Sequence, residues 1–120
     1  MIDIEFDKPR RLHFDLAAIR ALEASLDGKP LSAVVTDISR LGVNALVYAL
    51  WAGLKHEDRA LNPKLVEKIL DSYIREKKSL LALCRAINDA IEETGLFRNE
   101  DEDAQVGNEQ TAAKQATTTS

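Results

Sequence analysis

The sequence predicts a mainly α fold, a small bundle of about five helices with an N-terminal β-hairpin packed on it. Three observations carry this. Apolar residues recur at helical spacing from Leu16 to Ile91, residues suited to starting or stopping helices punctuate that pattern, and a strict two-residue alternation occurs only near the beginning of the chain.

Ile2, Ile4 and Phe6 alternate with Asp3, Glu5 and Asp7. After Lys8-Pro9, Leu12 and Phe14 alternate with Arg11 and His13. The pattern fits two short strands and a tight turn. Such a hairpin is marginal alone in water, so its apolar face should lie on the helices.

A helical period then begins, with Leu16, Ile19, Leu22 and Leu26 on one face, Asp15 placed to cap the start and Asp27-Gly28 to end it. Pro30 separates this helix from a short second one, whose Leu31, Val34, Val35, Ile38 and Leu41 share a side away from Asp37 and Arg40. From Val43 to His56 nearly every direction of the helical wheel is apolar, leaving Asn44 and Lys55 as a narrow polar strip. That helix should be the central, most enclosed one.

Asn62-Pro63 marks the fourth start: the Asn side chain can accept an orphan N–H, and proline at the first helical position has none to leave unpaired. Leu65, Val66, Ile69, Leu70, Tyr73 and Ile74 form its apolar arc opposite Lys64, Lys68, Asp71 and Arg75. Lys77-Lys78 suit the end of that helix, and Ser79 can cap a fifth with Leu80, Leu83, Cys84, Ile87 and Ile91 inward. Gly95 closes it, with Leu96 and Phe97 placed for the apolar contact that accompanies a glycine stop.

From Arg98 the composition becomes acidic and polar, with Val106 the only large apolar residue. A segment with so little to bury cannot offset an ordering cost of about 1–2 kcal/mol per residue. The reading is one helical domain with its hairpin over residues 1–97 and a disordered acidic/polar tail over 98–120. The tail holds five of the twenty acids and two of the sixteen bases, leaving fifteen acids and fourteen bases in residues 1–97.

With 120 residues, 45% of them apolar, the chain suffices for one core. A net charge of -4 offers no basic surplus for a phosphate backbone, which argues against nucleic acid as a partner. The longest uncharged stretch, Leu41–Leu54, has fourteen residues. A spanning helix needs roughly 20, so no membrane partner is expected. One cysteine, Cys84, and the absence of a charged-then-apolar leader at Met1 suit a reducing cytoplasm.

Chemistry-bearing residues are sparse. His13, His56 and Cys84 have no metal-ligand spacing, so no metal is expected. His56-Glu57-Asp58 could supply a base with a carboxylate beside it, but reads better as a solvated helix end and loop. His13 reads as an exposed strand residue, and Cys84 as a small buried hydrophobe with a raised thiol pKa. Glu23 is the one acid that intrudes on a core-facing stripe, and a base such as Arg10, Arg11 or Arg40 is its expected partner. Trp51 suits the core, with an interface role for Trp51 and Tyr48 as the alternative. No catalytic or cofactor-binding residue emerges.

The stretch Leu41-Gly42-Val43-Asn44-Ala45-Leu46-Val47-Tyr48-Ala49-Leu50-Trp51-Ala52-Gly53-Leu54-Lys55-His56-Glu57-Asp58, then Leu61-Asn62-Pro63 and its amphipathic helix, resembles the phage tail assembly chaperones of the gene transfer agent tail type. The strand pair and the Ile19-Arg20-Ala21-Leu22-Glu23 helix are similar to them as well, so the likeness covers about residues 4 to 97. Its most specific part is the Trp-Ala-Gly-Leu-x-His-Glu-Asp segment.

The resemblance implies a small helical protein of the host cytoplasm that binds the tape measure protein during tail morphogenesis, without catalysis or cofactor. It also implies contact with the tail tube protein through a longer, frameshifted product, and self-association is a further possibility. The family defines no binding residues by motif. The surface expected to carry a partner lies near Tyr48, Trp51, Leu54 and His56. Two other classes stay open at this point: a structural tail component such as a tail tube or connector protein, and, less favoured, a small helical DNA-binding regulator.

Overall fold

Along residues 1–97, which the computed structural model describes, the chain forms strands β1 (Ile2–Glu5) and β2 (Pro9–Leu12), then helices α1 (Leu16–Ser25), α2 (Leu31–Ser39), α3 (Val43–Leu54), α4 (Pro63–Arg75) and α5 (Leu80–Glu92). This is the helical bundle with an N-terminal hairpin that the hydrophobic periods predict. The acidic tail read over 98–120 lies outside the described residues.

The strands pair antiparallel, with Ile2 opposite Leu12 and Ile4 opposite Arg10. Phe6, Asp7 and Lys8 form the turn, while Phe14 leads into α1, so the ladder is shorter than the alternation of residues. Phe6 and Phe14 remain buried all the same. Helix α5 covers β1, and α3 with α5 covers β2. The hairpin is thus held by helices on its inner face, the support that two isolated strands lack.

Helix α1 is capped as expected: the Asp15 carboxylate accepts the Ala18 N–H at 2.8 Å. Ala18, Ile19 and Leu22 face the core. Leu16 does not, being 65% exposed. It is the first helical residue, and a helical side chain leans toward the N-terminus, here past the end of the packed surface.

Three helices, α1, α2 and α4, end in the same way. An N–H five residues on returns to a carbonyl of the last turn: Gly28 to Glu23 at 2.8 Å, Gly42 to Asp37 at 2.7 Å, Lys78 to Tyr73 at 3.3 Å. The residue before each donor, Asp27, Leu41 or Lys77, has positive φ. This is the closing geometry for which glycine is the usual choice. At Leu41 it also corrects an expectation: past the reversal its side chain is 46% exposed, not aligned with Ile38.

Glu23 is a second correction. Instead of pairing with an arginine, its carboxylate accepts the Leu31 N–H at 2.8 Å. Pro30 supplies no side-chain cap to α2, so an acid on α1 satisfies one of the orphan donors at the start of the next helix.

Helix α3 runs through the middle, touching α1, α2, α4, α5 and β2. Ala45, Leu46, Val47, Ala49, Leu50, Ala52, Gly53 and Leu54 are all buried on it. Helix α4 starts at Asn62, whose side chain accepts the Leu65 N–H at 2.8 Å. It leans chiefly on α3, and one neighbour covers a narrower stripe than six apolar residues. Val66, Leu70 and Tyr73 are therefore buried while Leu65 and Ile74 flank the seam in solvent.

Ser79 caps α5 by accepting the Ala82 N–H at 3.0 Å, and Leu83, Cys84, Ile87, Ala90 and Ile91 point inward. Among the described residues no helix is long and apolar enough to cross a membrane.

Candidate functional site

Sequence and packing converge on the C-terminal end of α3. Gly53 lies where the chain entering α1 crosses this helix: its carbonyl accepts the His13 N–H at 3.0 Å. A Cβ there would stand 2.8 Å from Leu12 Cδ2 and 2.9 Å from Phe14 Cζ. Only a residue without a side chain permits that approach.

A few residues on, the largely solvent-facing His56-Glu57-Asp58 segment is tied to the hairpin. Each residue bonds to β2 or its arginines. The Arg11 N–H donates to Glu57 Oε1 at 3.2 Å, and its guanidinium Nε to Glu57 Oε2 at 2.7 Å. His56 Nε2 lies 2.9 Å from the Arg11 carbonyl oxygen. A carbonyl can only accept, so that nitrogen carries the proton.

Among the described residues Arg10 is the one buried charge, its side chain 6% exposed. It donates to both carboxylate oxygens of Asp7 at 2.6 and 2.8 Å, and reaches Asp58 at 3.5 Å. The Arg10 bonds hold the Asp7 carboxyl below the usual aspartate range, and the Arg11 bonds do the same for Glu57.

Behind this latch, between the start of α1 and the end of α3, lies an open groove of about 420 Å³. Its apolar lining is Ala18, Trp51, Ala52 and Leu61, with the exposed Ala17 at its edge, and its polar rim is His13, Asp15, Lys55, His56 and Arg59. The alanines create the trough, since larger residues facing one another across α1 and α3 would fill it.

Lys55 Nζ sits 4.8 Å from the Trp51 ring centroid, a cation–π arrangement that keeps the indole half-covered. The His13 and His56 rings meet edge to face at 5.6 Å. Asp15 is the one rim acid, and its carboxylate is engaged in capping α1. Neither Lys55 nor Arg59 makes an ion pair among the described residues.

Of the four residues proposed from sequence as a partner surface, Trp51 and His56 meet in this groove. Tyr48 lies one turn earlier on α3, half-buried, and lines a different depression beside Asn44, Lys29 and Asp37. That depression is larger, about 740 Å³, but more polar, and the Lys29–Asp37 ion pair spans part of it. Leu54 is fully enclosed in the core and leaves the candidate surface. The reason is rotational: in a helix with neighbours on nearly all sides, only the strip holding Asn44, Tyr48, Trp51 and Lys55 remains partly open beyond the first residue, Val43.

Lys55, Arg59, Ala17 and His13 were not legible as groove residues, because they come from three separate segments. Spacing signals link residues only within one element. Cys84 is buried on α5, and burial pushes its thiol pKa up, away from reactivity. Among the described residues no group of three or more His, Cys, Asp or Glu side chains is placed to hold a metal ion.

Comparison with the known protein families, with curated proteins and with solved structures finds no match for this chain.

Proposed function

We propose that this chain is a phage tail assembly chaperone that holds the tape measure protein in the host cytoplasm during tail morphogenesis, acting by binding and not by catalysis. The single observation that carries the reading is the groove beside Trp51: a concave, mainly apolar trough of about 420 Å³ framed by two helices. Client helices are commonly received in this way, their apolar residues entering a hydrophobic groove at one-turn spacing. Trp51 at its floor is the residue type most often found at the energetic centre of such contacts. The resemblance of residues 41–58 to tail assembly chaperones supplies the identity of the client.

Several copies of a weak groove on one long client give high avidity while each contact remains displaceable by assembling tube subunits. Further apolar residues lie in solvent at the start of α3 and on α4, with Val43 66% and Ile74 49% exposed. They give a long client additional surface.

The test is co-expression with the tape measure protein of the same tail system. Soluble yield of the client is expected to rise, and the two chains to co-elute on gel filtration. No gain in yield and no complex defeat the reading, and stoichiometric recovery of this chain from purified particles transfers it to a structural tail component.

A further inference from the structure

The rim of the groove has a sign. Lys55 and Arg59 make no ion pair among the described residues, and the single acid of the rim, Asp15, which keeps its charge while capping α1, leaves the cations in excess. Nearby acids are consumed, Glu57 by Arg11 and Asp58 by Arg10. Over residues 1–97 the charges almost cancel, so this excess of cations beside an apolar floor is a local arrangement and not a consequence of a basic surface.

Resting on the reading of the chain as a chaperone, we propose that the groove selects a helical client segment whose apolar anchor residues are flanked by carboxylates. The anchors lie on Trp51, Ala52 and Ala18. The client's carboxylates meet Lys55 and Arg59. The Lys55 ammonium covers part of the Trp51 ring, so an acidic flank that draws Lys55 outward also uncovers the indole for the anchor. Charge complementarity of this kind contributes specificity and register more than raw affinity. That suits a holder that must release its client.

Trp51 is the only tryptophan of the chain, so its emission reports on this groove and no other surface. The experiment uses the full chain and two synthetic helical peptides with the same leucine face, one flanked by glutamates and one by lysines. The glutamate peptide is expected to shift Trp51 emission and to bind about tenfold more tightly at low salt. In the double variant Lys55→Glu, Arg59→Glu the order of the two peptides inverts, a result that mere damage to the fold cannot produce. Ala17→Leu, at an exposed helical position, fills the trough and weakens the glutamate peptide without loss of helicity.

An unmoved Trp51 signal, equal binding of both peptides, or an order unchanged by the double variant overturns the proposal. It is also overturned if neutralising the chain's own acids, Glu100→Gln, Asp101→Asn, Glu102→Gln and Asp103→Asn together, tightens peptide binding about tenfold, which identifies the occupant as the chain's own acidic segment. The two readings fail separately. Client rescue with no charge preference sinks only the groove assignment, whereas charge-selective peptide binding without client rescue sinks only the chaperone reading.

Discussion

Arg11 and Glu57 share two hydrogen bonds and an ion-pair contact: the Arg11 N–H donates to one carboxylate oxygen at 3.2 Å and its Nε to the other at 2.7 Å, with Nη2 also 2.7 Å from that second oxygen. With His56 donating to the Arg11 carbonyl, both outward backbone groups of this β2 residue are occupied by side chains from the loop after α3. An open strand edge is a template for pairing with other chains, and side chains that occupy its donors and acceptors blunt that hazard. The same contacts fix the loop that carries Arg59 to the rim of the groove.

Removing the carboxylate should therefore open the edge before it unfolds the protein. In Glu57→Ala, hydrogen exchange of the Arg11 amide is expected to quicken by about tenfold or more, as for a locally opened site, with core amides of α3 little changed. Glu57→Gln keeps one acceptor oxygen and should lie between. An Arg11 amide that exchanges equally slowly in all three proteins would show that the latch is not what protects it.

Gly53→Ala tests the crossing of the hairpin exit over α3. At an ordinary helical position the exchange is worth about 1 kcal/mol in favour of alanine. Here the new methyl meets Leu12 and Phe14, both almost fully buried and unable to step aside without disturbing the core. Overpacking costs typically about 1–3 kcal/mol, so the net effect is a loss of about 1 kcal/mol. Denaturant unfolding measures it. Adding Leu12→Val to the variant should recover part of the loss, the non-additivity expected of side chains in contact.

The Arg10–Asp7 pair sets an acid limit. Hydrogen bonds from Arg10 lower the folded-state pKa of Asp7, so the unfolded chain binds the proton more tightly. The stabilisation is therefore complete above the ordinary aspartate pKa of about 4 and is lost as pH falls through the lower folded value. Glu57, lowered by Arg11, titrates with the same sign. Asp7→Asn should flatten the decline of stability below about pH 4. Arg10→Ala leaves Asp7 and Asp58 without their partner, but both are about one third exposed, so water softens the loss to about 1–3 kcal/mol at neutral pH.

The elements were legible because their signals are local. Asp15, Asn62 and Ser79 cap the helices that their residue types announced, and the nearly all-apolar wheel from Val43 to Leu54 is the most enclosed helix. The groove was only half legible. Trp51 and His56 belong to it, yet Leu54 faces the core: the narrow polar strip of Asn44 and Lys55 marks the side of α3 that its neighbours leave open, and Leu54 lies off that strip. The latch was not legible at all: Arg11 and Glu57 lie 46 residues apart, and each alone reads as an ordinary surface charge. Leu16 is exposed because periodicity cannot show where a neighbouring surface stops, and Leu41 because the chain reverses at its positive φ.

Glu23 offers a test in which two explanations give opposite orders. If its role is to accept the Leu31 N–H, then Glu23→Gln keeps an acceptor in place and should cost little, while Glu23→Ala orphans a donor at the start of α2, where Pro30 provides no substitute. Loss of a capping interaction costs about 1 kcal/mol, or roughly 4–8 °C in Tm for a domain of this size. If the residue instead acted through its charge on an arginine, glutamine would be as damaging as alanine and added salt would erase the difference between wild type and both variants. Thermal unfolding of the three proteins at low and high salt separates the cases. The capping role requires the glutamine variant to stay close to wild type at either salt concentration.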